Sequence, residues 1–186
     1  MTVEQAEKLC IKAHKGQYRK AKEITKANYA ILDIDHYYEN NVILNDGSRA
    51  YIQEDRYFLQ KPYHIHPFAV ADMMTTDEEK IVALLHDIVE DTTATIKSNI
   101  GIPSNMSTIE FDRQVELLTK KEFTAINALT KKDNEGYFKY LTRVVSNELA
   151  IKVKIADIIH NISDNPTEKQ KEKYYKGIKF LLSRLK

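Results

Sequence analysis

The sequence predicts an all-α fold: a helical bundle of about eight to ten helices with a small β-hairpin insertion near residues 41–53. Three observations carry this reading. Only five Gly and four Pro punctuate 186 residues, which leaves long stretches of helix-favouring residues uninterrupted. Apolar residues recur at helical spacing, and capping signals precede several of those runs. Hydrophobic residues at 42% and charged residues at 30% describe a chain that buries a core and is not disordered.

Taken in order, Thr2 with Gln5 forms a capping box for a helix running toward Lys20, with Val3, Ala6, Leu9, Cys10 and Ala13 on one face. Residues 21–62 break the pattern. Tyr29 opens a short helical stretch to Leu32. Val42, Ile43 and Leu44, then Asn45-Asp46-Gly47-Ser48, then Ala50, Tyr51 and Ile52 read as a hairpin around an Asp-Gly turn. The excursion is read as an insertion, at about 21–62, into a single domain spanning 1–186. Pro67 in a first helical turn starts a helix through Met74, and Thr76 with Glu79 caps the next, which carries Ile81, Leu84, Leu85 and Ile88. Residues 99–108, with Gly101 and Pro103, form a loop. Helices are then expected at 109–119, 122–130, 135–147, 149–163 and 167–185. The last sets Tyr174, Ile178, Leu181 and Leu185 against Lys169, Lys171, Lys173, Lys176 and Lys179, the pattern of a core-packed helix with a solvated basic back.

The formal charge is +1, which gives no case for a protein that coats nucleic acid. The local balance is less even. Residues 1–26 carry +4, residues 72–91 carry −6 and residues 131–186 carry +6. One cysteine, Cys10, excludes an intrachain disulfide framework and a cysteine-rich zinc site. No run approaches the roughly 18 apolar residues of a membrane span, and no apolar signal core opens the sequence, so a cytoplasmic protein is expected.

Within residues 81–91, Ile81, Leu84, Leu85 and Ile88 share one helical arc while His86, Asp87, Glu90 and Asp91 share the opposite one. A solvated polar face explains such an arc in most helices. An imidazole and three carboxylates within one turn, however, repel one another unless a cation joins them. In residues 150–164, Lys154, Asp157, Asn161 and Asp164 form a stripe beside Ile151, Ile155, Ile158, Ile159 and Ile162. Asp157 therefore falls at the rim of a core, where a charge needs a partner. His66 precedes Pro67 at a helix start. Two imidazoles and two carboxylates, from His66, His86, Asp87 and Asp157, make a donor set suited to Mn²⁺, Fe²⁺ or Zn²⁺ with positions left for water.

Four segments in order carry a resemblance. They are Ala13-His14-Lys15-Gly16-Gln17-Tyr18-Arg19-Lys20, Pro62-Tyr63-His64-Ile65-His66-Pro67, the run from Ala83 through His86-Asp87-Ile88-Val89-Glu90-Asp91 to Thr92, and Lys154-Ile155-Ala156-Asp157-Ile158-Ile159-His160-Asn161. Together they resemble the HD-domain phosphohydrolases, in particular the stand-alone small alarmone hydrolases of the RelA/SpoT-type branch. The resemblance covers about residues 2–20 and 60–165. It implies a helical HD fold around one divalent metal, usually manganese, held by His66, His86, Asp87 and Asp157. It further implies that Glu90 and Asp91 act on the attacking water and leaving group, and that Arg19, Lys20, Lys154 and Asn161 contact the nucleotide. The implied reaction converts guanosine 3′,5′-bis(diphosphate), ppGpp, to GDP and pyrophosphate. The chemistry agrees, since such hydrolysis needs an activated water and cations that offset phosphate charge.

Two features depart from the family pattern. About forty residues separate the Arg-Lys pair from the His-Pro motif, where a short loop is usual. Their tyrosines, Tyr29, Tyr37, Tyr38, Tyr51 and Tyr57, serve either for packing or for stacking on a base. Ile162-Ser163-Asp164 also stands where an arginine and a threonine are usual. The same chemistry on another nucleotide or dinucleotide phosphate, and a non-catalytic nucleotide-sequestering role, therefore stay open, as does a homo-oligomer. His14 and His160 are motif neighbours not assigned to the metal.

Overall fold

A computed structural model of the chain describes residues 1–32, 41–89 and 108–185. In chain order the elements are α1 (Val3–Ala13), β1 (Lys22–Ile24), α2 (Lys26–Ile31), β2 (Asn41–Ile43), β3 (Arg49–Gln53), β4 (Arg56–Gln60), α3 (Ile65–Asp72), α4 (Asp77–Leu85), α5 (Thr108–Val115), α6 (Lys120–Leu129), α7 (Tyr137–Val144), α8 (Glu148–Ser163) and α9 (Glu168–Leu182). The described residues thus hold nine helices, within the expected eight to ten. Two compact units result: Met1–Ala13 with His66–Lys186, and His14–Ile65.

The first unit is helical, and α4 lies at its centre. Thr76 Oγ1 accepts from Glu79 N at 3.2 Å and Glu79 Oε2 accepts from Thr76 N at 3.1 Å, so two donors at the helix start are satisfied reciprocally. From Ile81 through Leu85 every side chain is buried, the mark of a helix enclosed on all sides, and α4 packs on α1, α6 and α8. Lys152 of α8 also donates to Glu79 Oε1 at 2.9 Å. A second capping box, Thr119 with Glu122, opens α6, and Asn147 caps α8. Of the isoleucines expected on the apolar face of α8, Ile151 and Ile158 are buried but Ile159 is 47% exposed. Gly177 of α9 lies against the Tyr137 hydroxyl, so closely that a Cβ at this position would collide with it.

Arg143 of α7 clamps the end of α6. It donates to the carbonyls of Asn127, Ala128 and Thr130 at 2.6–2.9 Å, satisfying acceptors that a helix terminus leaves open, and to both oxygens of Glu135. The Arg143 guanidinium holds Glu135 down at about 2, against an unfolded value near 4.5. A carboxyl lowered in this way stabilises the fold above its unfolded value and loses that contribution as the pH falls toward 2. Glu135→Gln is accordingly expected to cost about 1–2 kcal/mol at pH 7. Denaturant titrations should show that difference closing near pH 2; a gap that persists there would mean the charge is not the source.

The second unit corrects the all-α expectation. In place of one hairpin it holds a four-stranded antiparallel sheet in the order β1-β4-β3-β2, with Lys22 opposite Leu59, Ala50 opposite Leu59 and Val42 opposite Ala50. The Asp46-Gly47 turn forms as expected, with Gly47 at φ +79° and Ser48 N donating to Asp46 Oδ1 at 2.8 Å. The β3–β4 turn uses Glu54 and Asp55, both at positive φ, without the glycine that marks such a turn most strongly. On one face Arg49, Tyr51, Phe58 and Arg56 form a continuous stack: each arginine lies over its neighbouring ring at 5.3–5.4 Å, and the two rings stack at 5.2 Å. Tyr57 packs on Tyr29 of α2 at 4.9 Å. Tyr51 is thus engaged by an arginine and a phenylalanine of its own sheet, which favours packing over base stacking for this tyrosine. Tyr37 and Tyr38 lie outside the described residues.

The base of the excursion is zipped shut. Arg19 N donates to Lys61 O at 2.9 Å, Tyr63 N donates to Gln17 O at 2.9 Å, and Tyr18 bridges Pro62. The chain therefore enters and leaves this segment at adjacent points. The first helix ends at Ala13, short of Lys20, because the chain turns through Gly16 at φ +80°.

Candidate metal centre

His66, in the first turn of α3, and Asp157, in the middle of α8, are both buried. His86 and Asp87 follow the end of α4. The regular helix is shorter than the wheel assumes: α4 ends at Leu85, and His86 is its C-cap, still in helical backbone geometry at φ −62° and ψ −32°. The ring of His86 ties back to its own helix, Nδ1 lying 2.6 Å from the Ala83 carbonyl. A carbonyl only accepts, so Nδ1 carries the proton there.

These four residues converge. His66 Nε2 is 3.0 Å from Asp157 Oδ1 and 3.4 Å from Asp87 Oδ2; His86 Nε2 is 3.1 Å from Asp87 Oδ1 and 3.8 Å from Asp157 Oδ1. His66, His86 and Asp87 form a group able to hold a metal ion, with donor atoms within 4.8 Å of one another. Ligands about 2.1 Å from a common ion stand roughly 3.0–3.4 Å apart, so the spacing fits. His86 Nε2 supplies an independent test of that fit. It is buried and has no hydrogen-bond partner. With Nδ1 protonated, a neutral His86 aims a lone pair at two carboxylates, a conflict that a metal ion or a proton on Nε2 resolves.

The electrostatics point the same way. Burial disfavours the imidazolium of both histidines, but the two carboxylates outweigh it: His66 is raised and His86 climbs to about 10. Burial would likewise raise Asp87 and Asp157. His86 instead holds Asp87 well below the usual range, and Lys154 does the same for Asp157. Both shifts favour a proton on these rings, so a metal ion and a proton compete for them.

Around Asp157 the two oxygens are treated differently. Lys154 Nζ is 2.7 Å from Oδ2, and Asn161 Nδ2 donates to Oδ1 at 2.6 Å. Lys154 is partly buried, with its ammonium also 5.1 Å over the Tyr140 ring. The resemblance implies substrate contact for Lys154 and Asn161, and in the structure both reach Asp157. His160, a motif neighbour with no role implied by the resemblance, has its Nδ1 2.7 Å from His66 Nδ1. A second addition is Lys173 of α9, assigned by sequence to the solvated back of that helix. Its ammonium sits 4.9 Å over Tyr137 and 5.0 Å over Tyr174. Burial lowers it, and the charges of Lys154 and Lys131 lower it further. Lysines close enough to repel one another attract anions. No helical periodicity singles Lys173 out among its neighbours on α9.

Arg19 and Lys20 belong to the second unit. The Arg19 guanidinium lies 5.6 Å over the Tyr63 ring, and Lys20 is exposed. His14, also in that unit, is buried, with Nδ1 2.7 Å from Gln17 Oε1 and its ring 4.8 Å from Tyr63. Glu90 and Asp91 lie outside the described residues.

The fold and the cluster define a mostly helical protein with a His/Asp group able to hold a metal. The fold is that of a metazoan ortholog of SpoT that hydrolyses ppGpp and plays a role in starvation responses. The match to its solved structure has a TM-score of 0.57 at 16% identity and covers 99% of this chain and 85% of that one. Over 105 residues the chain is also 35% identical to the GTP pyrophosphokinase rsh of Brucella ovis, and equally to those of Brucella abortus and Brucella melitensis. That match takes in 54% of this chain but only 14% of each relative's length. No protein-family model matches the chain. Among the described residues no helix is long and apolar enough to cross a membrane.

Proposed function

We propose that this chain is a metal-dependent nucleotide phosphohydrolase of the HD, RelA/SpoT type, a single domain with an insertion at about 21–62. It cleaves ppGpp to GDP and pyrophosphate in the cytoplasm, with Mn²⁺ as the resident ion. The observation that carries this reading is the buried convergence of His66, His86, Asp87 and Asp157 in a fold shared with a ppGpp-hydrolysing SpoT ortholog.

His66 Nε2, His86 Nε2 and single oxygens of Asp87 and Asp157 would hold the ion. When bound, a divalent cation supplies Lewis acidity that activates water and offsets phosphate charge. Lys154 occupies Asp157 Oδ2, which leaves Oδ1 as that residue's donor and keeps coordination positions open for water. Glu90, four residues beyond His86 in sequence, takes the proton from the attacking water, and Asp91 serves the leaving group. Arg19 presents a planar fork to phosphate and Lys20 a point charge. Asn161 fixes the carboxylate through its side-chain amide, and Lys173 with Lys131 adds positive charge where phosphates collect.

A nucleotide panel incubated with the protein and Mn²⁺, assayed for phosphate and pyrophosphate, tests the substrate assignment. Pyrophosphate release confined to nucleotides with a 3′-diphosphate is expected. Orthophosphate released from a 2′- or 3′-monophosphate instead would assign the same chemistry to another nucleotide, and tight binding without turnover would assign a sequestering role.

A further inference from the structure

The two histidines of the cluster are held by different kinds of partner. His86 Nδ1 is satisfied by a backbone carbonyl of its own helix, Ala83 O at 2.6 Å. His66 Nδ1 instead meets Nδ1 of His160 at 2.7 Å, with the ring centroids 4.7 Å apart and the planes at 48°. A hydrogen bond between two imidazole nitrogens needs one proton and one lone pair. His66 Nε2 is directed at Asp157 Oδ1 and Asp87 Oδ2, so a cation among those oxygens takes the Nε2 lone pair. The proton of the neutral ring then lies on Nδ1, and His160 receives it through a bare Nδ1.

We propose that His160 is a positioning residue for the metal centre, fixing by this hydrogen bond the tautomer and ring plane in which His66 Nε2 faces Asp87 and Asp157. The inference rests on reading the cluster as a metal site. Its placement on the helix supports it. His160 lies three residues after Asp157 on α8, hence on the same face. One rigid element therefore sets Asp157 directly and His66 through His160, and Asn161, one residue further on, steadies Asp157 Oδ1. Partners of metal-bound imidazoles are commonly carboxylates, carbonyls or water. A neutral imidazole here orients His66 without adding a third negative charge beside Asp87 and Asp157.

The test titrates the full chain with Mn²⁺ alone, and with Co²⁺ for its visible absorption. His160→Leu removes the acceptor while keeping bulk; His160→Gln offers a carbonyl in its place. His160→Leu is expected to weaken Mn²⁺ binding about 10- to 100-fold and to change the Co²⁺ spectrum. His160→Gln should recover most of the affinity and the wild-type spectrum. Wild-type affinity and spectrum in His160→Leu would overturn the proposal, and so would a His160→Gln variant as weak as His160→Leu. His160→Phe replaces the leucine variant if that one does not fold. Failure of the metal reading looks different: the wild type itself would bind no Mn²⁺.

Discussion

Asp87→Ala is expected to lose its bound Mn²⁺ and at least about a thousandfold of the hydrolytic rate, because activation of water by the ion accounts for several kcal/mol of the barrier. Asp87 contacts both histidines, through Oδ2 to His66 and Oδ1 to His86, so its removal dismantles the cluster from one side. His66→Ala, His86→Ala and Asp157→Ala belong to the same experiment. Metal content by mass spectrometry and ppGpp turnover should fall together in all four, with helical content by circular dichroism unchanged. A variant that keeps one Mn²⁺ per chain and wild-type turnover would remove that residue from the centre.

Lys154→Met carries the second large effect, and it separates two roles for this lysine. In the structure Lys154 balances buried Asp157, and burial costs each charge unless the other is present. Methionine keeps the stem packing but strips the carboxylate of its lysine, leaving His66, His86 and Asn161 beside it, at a cost of about 3 kcal/mol in the metal-free protein. Mn²⁺ supplies positive charge to the same carboxylate, so the variant should regain more stability from added Mn²⁺ than the wild type does. Denaturant curves with and without the ion read this directly. A metal-free Lys154→Met as stable as the wild type, with KM alone raised, would return Lys154 to substrate contact.

The sequence made the helical frame legible where local chemistry is explicit. Thr2-Gln5 and Thr76-Glu79 are capping boxes in both pattern and geometry. His66, the neighbours His86 and Asp87, and Asp157 come from three segments far apart in sequence that meet in space, and their residue types and order are legible without the fold. The sheet was half visible. Asp46-Gly47 announces one turn, whereas Glu54-Asp55 reaches positive φ without glycine or asparagine, and β1 and β4 are too short or too mixed in polarity to stand out. The end of α4 at Leu85 was hidden because the apolar period runs on through Ile88, which is buried from a turn and not from the helix. The contacts of His160 and Lys173 arise from tertiary packing, to which spacing along one helix is blind.

The most direct test of the central claim is a single measurement: ppGpp turnover by the metal-stripped protein as Mn²⁺ is added back. Hydrolysis that rises with bound ion, saturates at one Mn²⁺ per chain, yields GDP and pyrophosphate in equal amounts and stops with a chelator is the predicted result. Full occupancy of the site without any turnover of ppGpp would contradict it.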